Sequence, residues 1–506
     1  MRKVLLASVA VLGGTVALAH AQTANPPQGP TANPSQGQLA APYGSGPSSN
    51  NNNNAWAIAN TPSGSAAAGS LSTIYAPNTY AVPAPGTLVI HLNGRVEADV
   101  SANFTSVDKG QTASGAANGY KLNPVGVGSY MRLYPGFDAQ AANGLRYGAT
   151  VELRENFESG TNGSSGTAAA SPSANTSAET IFVRRAFSYL AADQAGLVRL
   201  GQTDGVLGLF DNCIFTSQCW DAGETSLNGG GPQQSAPSNV IPPFVWLSQS
   251  GADYGNNKIV YLSPQFYGFD LGVQYAANEG NAFSNDTGSS PLQSATCGQA
   301  TDNCINTSSG NDPTRWLNQV AVGVRYQHSF GAVDFKTYGF WETAGKEDPT
   351  AITIVKTAPG AGTGDIRYDN LNFYKAGVAV TSHNITAALD YIGGAVNGAL
   401  AERPTGGVSM NAELFGLTYT NGPITLGSQL GVIDSQGQAD LVGTSQRHEV
   451  EVAVGGNYKV APGLQLVLEY QYAHRHQGDF DFATATDGRT VDGRYQGVTF
   501  STVLTW

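Results

Sequence analysis

Three groups of residues have types and spacings that could do chemistry. Four cysteines stand as two close pairs, Cys213/Cys219 and Cys297/Cys304. In an exported chain such short-range pairs read as disulfides that pin loops, because an oxidising compartment keeps them formed. Zinc is the rival reading, but these spacings match no common finger and no histidine stands nearby. His474-Arg475-His476 could offer imidazoles to a metal. On an extended strand, though, both histidines point the same way as Tyr470 and Tyr472, which gives them an interfacial or loop-base role. Asp479-Phe480-Asp481 could hold Ca²⁺; a solvated external loop is the plainer reading. Covalent catalysis has little to work with. No serine sits in a G-x-S-x-G elbow, and neither H-E-x-x-H nor a phosphate-cradling Gly-Lys-Ser/Thr motif occurs. No catalytic residue, metal or cofactor is expected.

The elements that carry these residues are set by the chain's texture. Residues 1–21, with Arg2 and Lys3 before a short apolar run and Ala19-His20-Ala21 at its end, read as a secretory signal peptide. Residues 22–85 are low complexity: TANPPQGP is followed by TANPSQGQ, then by the run Asn50–Asn54. They hold too little apolar material to repay chain entropy and read as a disordered periplasmic leader, a spacer or a cell-wall tether. The formal charge is −12 and turns more negative once Arg2 and Lys3 leave, which argues against nucleic acid as a partner.

From residue 86 to 506 the pattern is alternation. Leu464, Leu466, Leu468, Tyr470 and Tyr472 share one face of a strand, while Gln465, Glu469, Gln471 and Arg475 share the other. Val450, Val452 and Val454 alternate with Glu449 and Glu451 in the same way, and Leu92, Val96 and Val100 oppose Arg95, Glu97 and Asp99. A soluble sandwich also alternates. Two features favour a transmembrane antiparallel β-barrel instead. Aromatics recur near strand ends (Phe157, Tyr189, Tyr275, Trp341, Tyr472, Trp506), as interfacial girdles require. Connectors also alternate between short turns and long Gly/Ser/Asn-rich loops. The pattern predicts an all-β fold of about sixteen strands, near 86–105, 126–137, 144–157, 179–191, 196–203, 256–263, 268–277, 316–329, 332–343, 369–381, 384–396, 410–421, 423–434, 446–460, 463–475 and 493–506. The last must pair with the first near Leu88–Phe104, so that no backbone edge meets lipid.

Three stretches resemble the general porins of Gram-negative outer membranes, which are sixteen-stranded trimeric channels. One is the final strand GVTFSTVLTW, whose Val498, Phe500, Leu504 and Trp506 are similar to the family's insertion signal, with Trp506 in place of the usual phenylalanine. Another is FVRRAFSYL (182–190) followed by AGLVRLGQT (195–203), similar to the hairpin before the family's constriction loop. The last is the long third loop itself, about residues 203–255. The resemblance implies a cell outer membrane protein that meets lipid and lipopolysaccharide, is inserted by the barrel-assembly machinery, and forms a homotrimer. It also implies passive diffusion of small hydrophilic solutes and ions. On the third loop Asp204, Asp211, Asp221 and Glu224 would be the acidic side of the constriction. Arg95, Arg132, Arg146, Arg154, Arg184 and Arg199, aimed inward by alternation, would be the basic wall. Arg185, read as sharing an outer face with Val183, Phe187 and Tyr189, would lie at a subunit contact. A channel selective for sugars or organic acids, a barrel hydrolase and a non-conducting adhesin are the alternatives.

Overall fold

A computed structural model describes residues 84–106, 109–111, 117–121, 124–156, 182–192, 195–203, 205–207, 257–264, 266–277, 316–346, 352–355, 363–366, 369–396, 403, 405–437, 445–482 and 486–506. Sixteen strands form the barrel: β1 (Thr87–Thr105), β2 (Val125–Gln140), β3 (Arg146–Asn156), β4 (Phe182–Ala192), β5 (Gly196–Gln202), β6 (Asn257–Leu262), β7 (Phe269–Ala276), β8 (Trp316–Phe330), β9 (Val333–Lys346), β10 (Leu371–Ser382), β11 (Ile385–Ala395), β12 (Met410–Asn421), β13 (Ile424–Ser435), β14 (Arg447–Ala461), β15 (Leu464–Gln477) and β16 (Gly493–Thr505). Each pairs antiparallel with its chain neighbours, and β16 pairs with β1 to close the ring. Every sequence-predicted strand is present.

The two-residue period sorts the side chains. On β16, Val498, Phe500 and Leu504 are exposed to the outside, while Thr499, Ser501 and Thr505 are buried on the inside. β14 and β15 repeat this, with Val454, Leu468 and Tyr470 outside and Glu451, Glu469 and Gln471 inside. A face of Val, Leu and Phe turned outward and a face of Glu, Gln and Arg turned inward suit a wall between hydrocarbon and water. Among the described residues no helix is long and apolar enough to cross a membrane. The closed ladder instead satisfies the backbone strand to strand.

The seam answers how the chain ends. Arg95 to Thr105 pair with Thr505 back to Tyr495. Beyond the last strand residue, the Trp506 N–H donates to Gly94 O, and the Gly94 N–H donates to Trp506 O, each at 3.2 Å. The indole lies against Gly94 so closely that a Cβ there would come within 2.0 Å of it. Only glycine leaves room for the terminal ring.

Two expectations are corrected. The register between β3 and β4 slips between Glu152 and Leu153: Leu153 pairs with Val183, but Glu152 pairs with Arg185. A β-bulge therefore absorbs Arg184 as an extra residue and inverts the alternation beyond it. Val183 faces out, whereas Phe187 and Tyr189 are buried inside and Leu190 is exposed outside. Arg185 thus does not continue an outer row with Phe187 and Tyr189; its register position is opposite the inward Glu152. Tyr189 is likewise no girdle residue. Its hydroxyl donates to Asp138 inside the barrel.

The short connectors are tight turns, such as His383–Asn384, where both residues adopt positive φ as a primed hairpin turn requires. Three long connectors carry two-stranded hairpins that alternation did not signal: Lys109–Gln111 with Ala117–Lys121, Ile352–Val355 with Thr363–Ile366, and Phe480–Asp481 with Thr486–Asp487.

Candidate functional site

The inner wall is the candidate site, and its residues come from alternate positions of every strand. Arg95, Arg132, Arg146 and Arg199 lie on it, all nearly fully buried. Arg154 stands opposite Arg132 in the β2–β3 register. Lys258 on β6 extends this basic side, and its Nζ donates to Thr203 O at 3.0 Å. Aromatic rings back these cations: the Arg199 guanidinium sits 4.9 Å from the centre of the Phe187 ring, within the range of a cation–π contact.

Asp138 and Glu152 lie among these cations, while other carboxylates gather elsewhere. Glu449 and Glu451 on β14, Glu469 on β15, and Glu97 and Asp99 on β1 all face inward and are buried. These strands are neighbours only because β16 closes onto β1. Amides lie among the acids: Gln471 Nε2 donates to Glu469, and Gln429 and Gln465 are buried on the same wall. Arginines bound the patch. Arg95 bonds Glu97 on the short-turn side, and Arg475 Nε donates to Glu449 Oε1 at 2.5 Å towards the long-connector end. Between the two sectors, Arg325 on β8 holds Asp270 directly across on β7, with Nε 3.0 Å from Oδ1. Lys375 faces Asp390 at 3.9 Å.

The third connector begins by entering this lumen. Thr203, Val206 and Leu207 are buried, and the Val206 N–H donates to Oε1 of the inward Gln274 at 2.6 Å. The candidate loop residues Asp204, Asp211, Asp221 and Glu224, and all four cysteines (Cys213, Cys219, Cys297, Cys304), lie outside the described residues, as does Phe157.

Alternation had marked Glu97, Asp99, Glu449, Glu451 and Glu469 as polar-face residues. It could not show that they form one patch, since Glu97 and Glu469 are distant in sequence. Nor did it identify the inward Lys258, Lys336, Lys375 and Arg447.

The outer face has its own polar cluster at the long-connector end. His474 Nε2 and His476 Nδ1 lie 3.0 and 2.7 Å from the two Asp492 carboxylate oxygens, and Arg494 Nη2 lies 3.6 Å from one of them. Partial burial works to raise the Asp492 carboxyl. Hydrogen bonds and charge from His476 and His474 outweigh it and hold the group below the ordinary carboxylate range. The loop-base role expected of these histidines fits this arrangement. Among the described residues no group of three or more His, Cys, Asp or Glu is placed to hold a metal ion.

The sequence matches the family described as Gram-negative porin over residues 38–478. The chain belongs to the Gram-negative porin family. In folded structure it is similar to OmpT of Vibrio cholerae, an outer-membrane protein, at 12% identity and a TM-score of 0.46, covering 84% of this chain and 100% of that one. It is also similar to a double mutant of Rh. blastica porin, at 12% identity and a TM-score of 0.43, covering 83% of this chain and 100% of that one. No curated protein matches the sequence. This porin is an outer-membrane barrel, so its short turns face the periplasm and its long connectors the exterior.

Proposed function

We propose that this porin is a passive diffusion channel for small hydrophilic solutes and ions, working as a homotrimer and catalysing no reaction. The observation that carries the reading is the inner wall: a closed ring of sixteen strands in which an acidic sector and a basic sector, meeting where β1 pairs with β2, line one lumen. Such opposed charges orient water and passing dipoles without making bonds. The inward start of the third connector supports a narrowing by residues 203–255, with Asp204, Asp211, Asp221 and Glu224 as its charges. A disulfide between Cys213 and Cys219 would stiffen that segment. Exported through its signal peptide, the chain would reach the outer membrane through the barrel-assembly machinery and rest among lipopolysaccharide.

The outer face supports the trimer. Aromatics at the periplasmic end concentrate on β7–β9 and the turn before β7, as Phe266, Tyr267, Phe269, Tyr326, Phe330 and Phe335, where an interfacial girdle belongs. The outward rows of β2–β5 carry small residues, such as Ala149, Val151, Ala186 and Ser188, between Phe137, Tyr147, Leu190 and Leu200, and suit close contact with another copy.

The test is reversal-potential measurement on purified protein in a planar bilayer under a salt gradient. Channel steps with a defined ion preference are expected. Absence of conductance from trimeric, folded protein would favour the adhesin reading, and hydrolysis lost with a single Ser, His or Asp substitution would favour an enzyme.

A further inference from the structure

We propose that the connector between β15 and β16 forms a second constriction, in which Phe480 and Phe482 clamp onto Arg447 and Arg475 and narrow the external mouth over the acidic sector. The inference rests on the diffusion-channel reading for its consequence, but its geometry stands apart from the third loop. Sequence composition reads Asp479–Asp481 as a solvated loop; Asp479 is exposed, but the two residues after it are buried. Phe480 and Phe482 are each 1% exposed and Asp481 is fully buried. The two rings meet edge to face with centroids 4.8 Å apart.

What buries them is the inner wall. The Arg447 guanidinium lies 5.2 Å from the Phe480 centroid and 5.0 Å from that of Phe482, while Arg475 lies 4.9 Å from Phe482. Both arginines belong to the inward rows at the external ends of β14 and β15, so the rings sit on the lumen side of the wall and away from lipid. The arginines are themselves fixed. Arg447 Nε donates to Gln477 Oε1 at 2.8 Å, and Arg475 is held by Glu449. A guanidinium that is already oriented makes a rigid platform for an aromatic face.

The connector is fastened at each end of the hairpin. At its start, the Gly478 N–H donates to Ser445 Oγ at 2.8 Å and the Ser445 N–H returns to Gly478 O at 3.1 Å. Across it, the Phe482 N–H donates to Val491 O and the Val491 N–H to Phe480 O. Asp481 is tied to Arg489, and Asp492 to the two histidines. Gly437, just past the end of β13, lies beside it. Its φ is +62°, and it approaches so closely that a Cβ there would lie 2.6 Å from Arg447 Cβ. A ribbon of paired strands, about 5 Å between axes before its side chains are added, thus occupies part of the mouth.

The experiment compares wild type, Phe480→Ala/Phe482→Ala, and a chain with residues 479–490 replaced by a short Gly-Ser link, each refolded and checked for heat-modifiable gel mobility. Single-channel conductance and liposome swelling with sugars of increasing size are read in parallel. Both variants should conduct more than wild type and admit larger sugars, with the link variant showing the greater effect. Folded variants with wild-type conductance and the same size limit overturn the clamp. If wild type itself makes no channel, the diffusion reading fails, and the clamp is then judged by limited trypsin cleavage after Arg489. Faster cleavage in the double alanine variant supports it, and equal rates overturn it.

Discussion

Two sectors of the same wall are built on one rule and end with opposite character. On β2–β6 the inward row sets four cations, Arg132, Arg146, Arg199 and Lys258, against two carboxylates, Asp138 and Glu152, among the aromatic and aliphatic side chains of Tyr134, Phe187, Tyr189 and Leu197. On β13–β16 and β1 it sets Glu449, Glu451, Glu469, Glu97 and Asp99 among glutamines, serine and threonine. Both sectors alternate with period two and both turn an apolar face outward. Alternation therefore decides only which side of the wall a residue occupies. Charge sign is a separate layer, free to differ between sectors because barrel stability is carried by the ladder and the outer face. In the basic sector Arg199 stacks on Phe187, and in the acidic sector Gln471 donates to Glu469.

The largest expected effect removes what lies between the sectors. Deleting residues 208–250 should enlarge single-channel conductance and weaken ion preference, since the two walls would no longer act across a narrow gap. An unchanged conductance would put the third loop outside the pore. Next, Glu449→Gln/Glu451→Gln/Glu469→Gln should shift the reversal potential toward anions, whereas Arg132→Gln/Arg199→Gln should shift it toward cations. Neutralising Asp211, Asp221 and Glu224 on the loop should act in the same direction as the first triple. All three shifts should shrink at high salt, where the screening length falls to about 3 Å at 1 M. If both wall variants move the potential the same way, the sectors do not act independently. Smaller is the effect at their boundary. Arg325→Leu leaves Asp270 buried without its guanidinium and should cost about 3 kcal/mol of stability by denaturant titration, while Arg325→Leu/Asp270→Leu should recover most of it.

The smallest effect lies on the outer face of the acidic sector. The folded-state pKa of Asp492 is lowered, so its clamp on His474 and His476 contributes above the unfolded carboxylate pKa of about 3.9 and is lost as pH falls through the lower folded value. Thermal unfolding of wild type should therefore lose more between pH 5 and pH 3 (both set by the experimenter) than that of Asp492→Asn. Equal losses would mean the clamp adds nothing.

The strands were legible because hydrocarbon outside and water inside leave a period-two signature along each of them. Boundaries fell within a few residues, and the closure of Trp506 onto the first strand followed from the cost of an open edge. Two things were not legible, for different reasons. The bulge at Arg184 depends on the partner strand, and FVRRAFSYL alternates equally well in either phase once one residue may be skipped. The clamp at Phe480 was hidden because local composition is acidic and polar, while its binding surfaces, Arg447 and Arg475, are supplied by two strand ends. Likewise the acidic patch needed the seam. Glu97 meets Glu469 through β16 only after closure.

The ring at Gly94 sets an order of events. Because the indole of the final residue fills a space left by a glycine on the first strand, the two ends of the barrel must meet for either to be finished. Until β1 and β16 pair, every partly assembled sheet carries two raw edges, and the closing contact spans nearly the whole barrel. Its loop-closure cost grows only slowly with length, but it must be met before the seam returns anything. Replacing Trp506 would cost the barrel the indole that fills the space over Gly94, while the ladder from Arg95–Thr505 to Thr105–Tyr495 would still hold the seam.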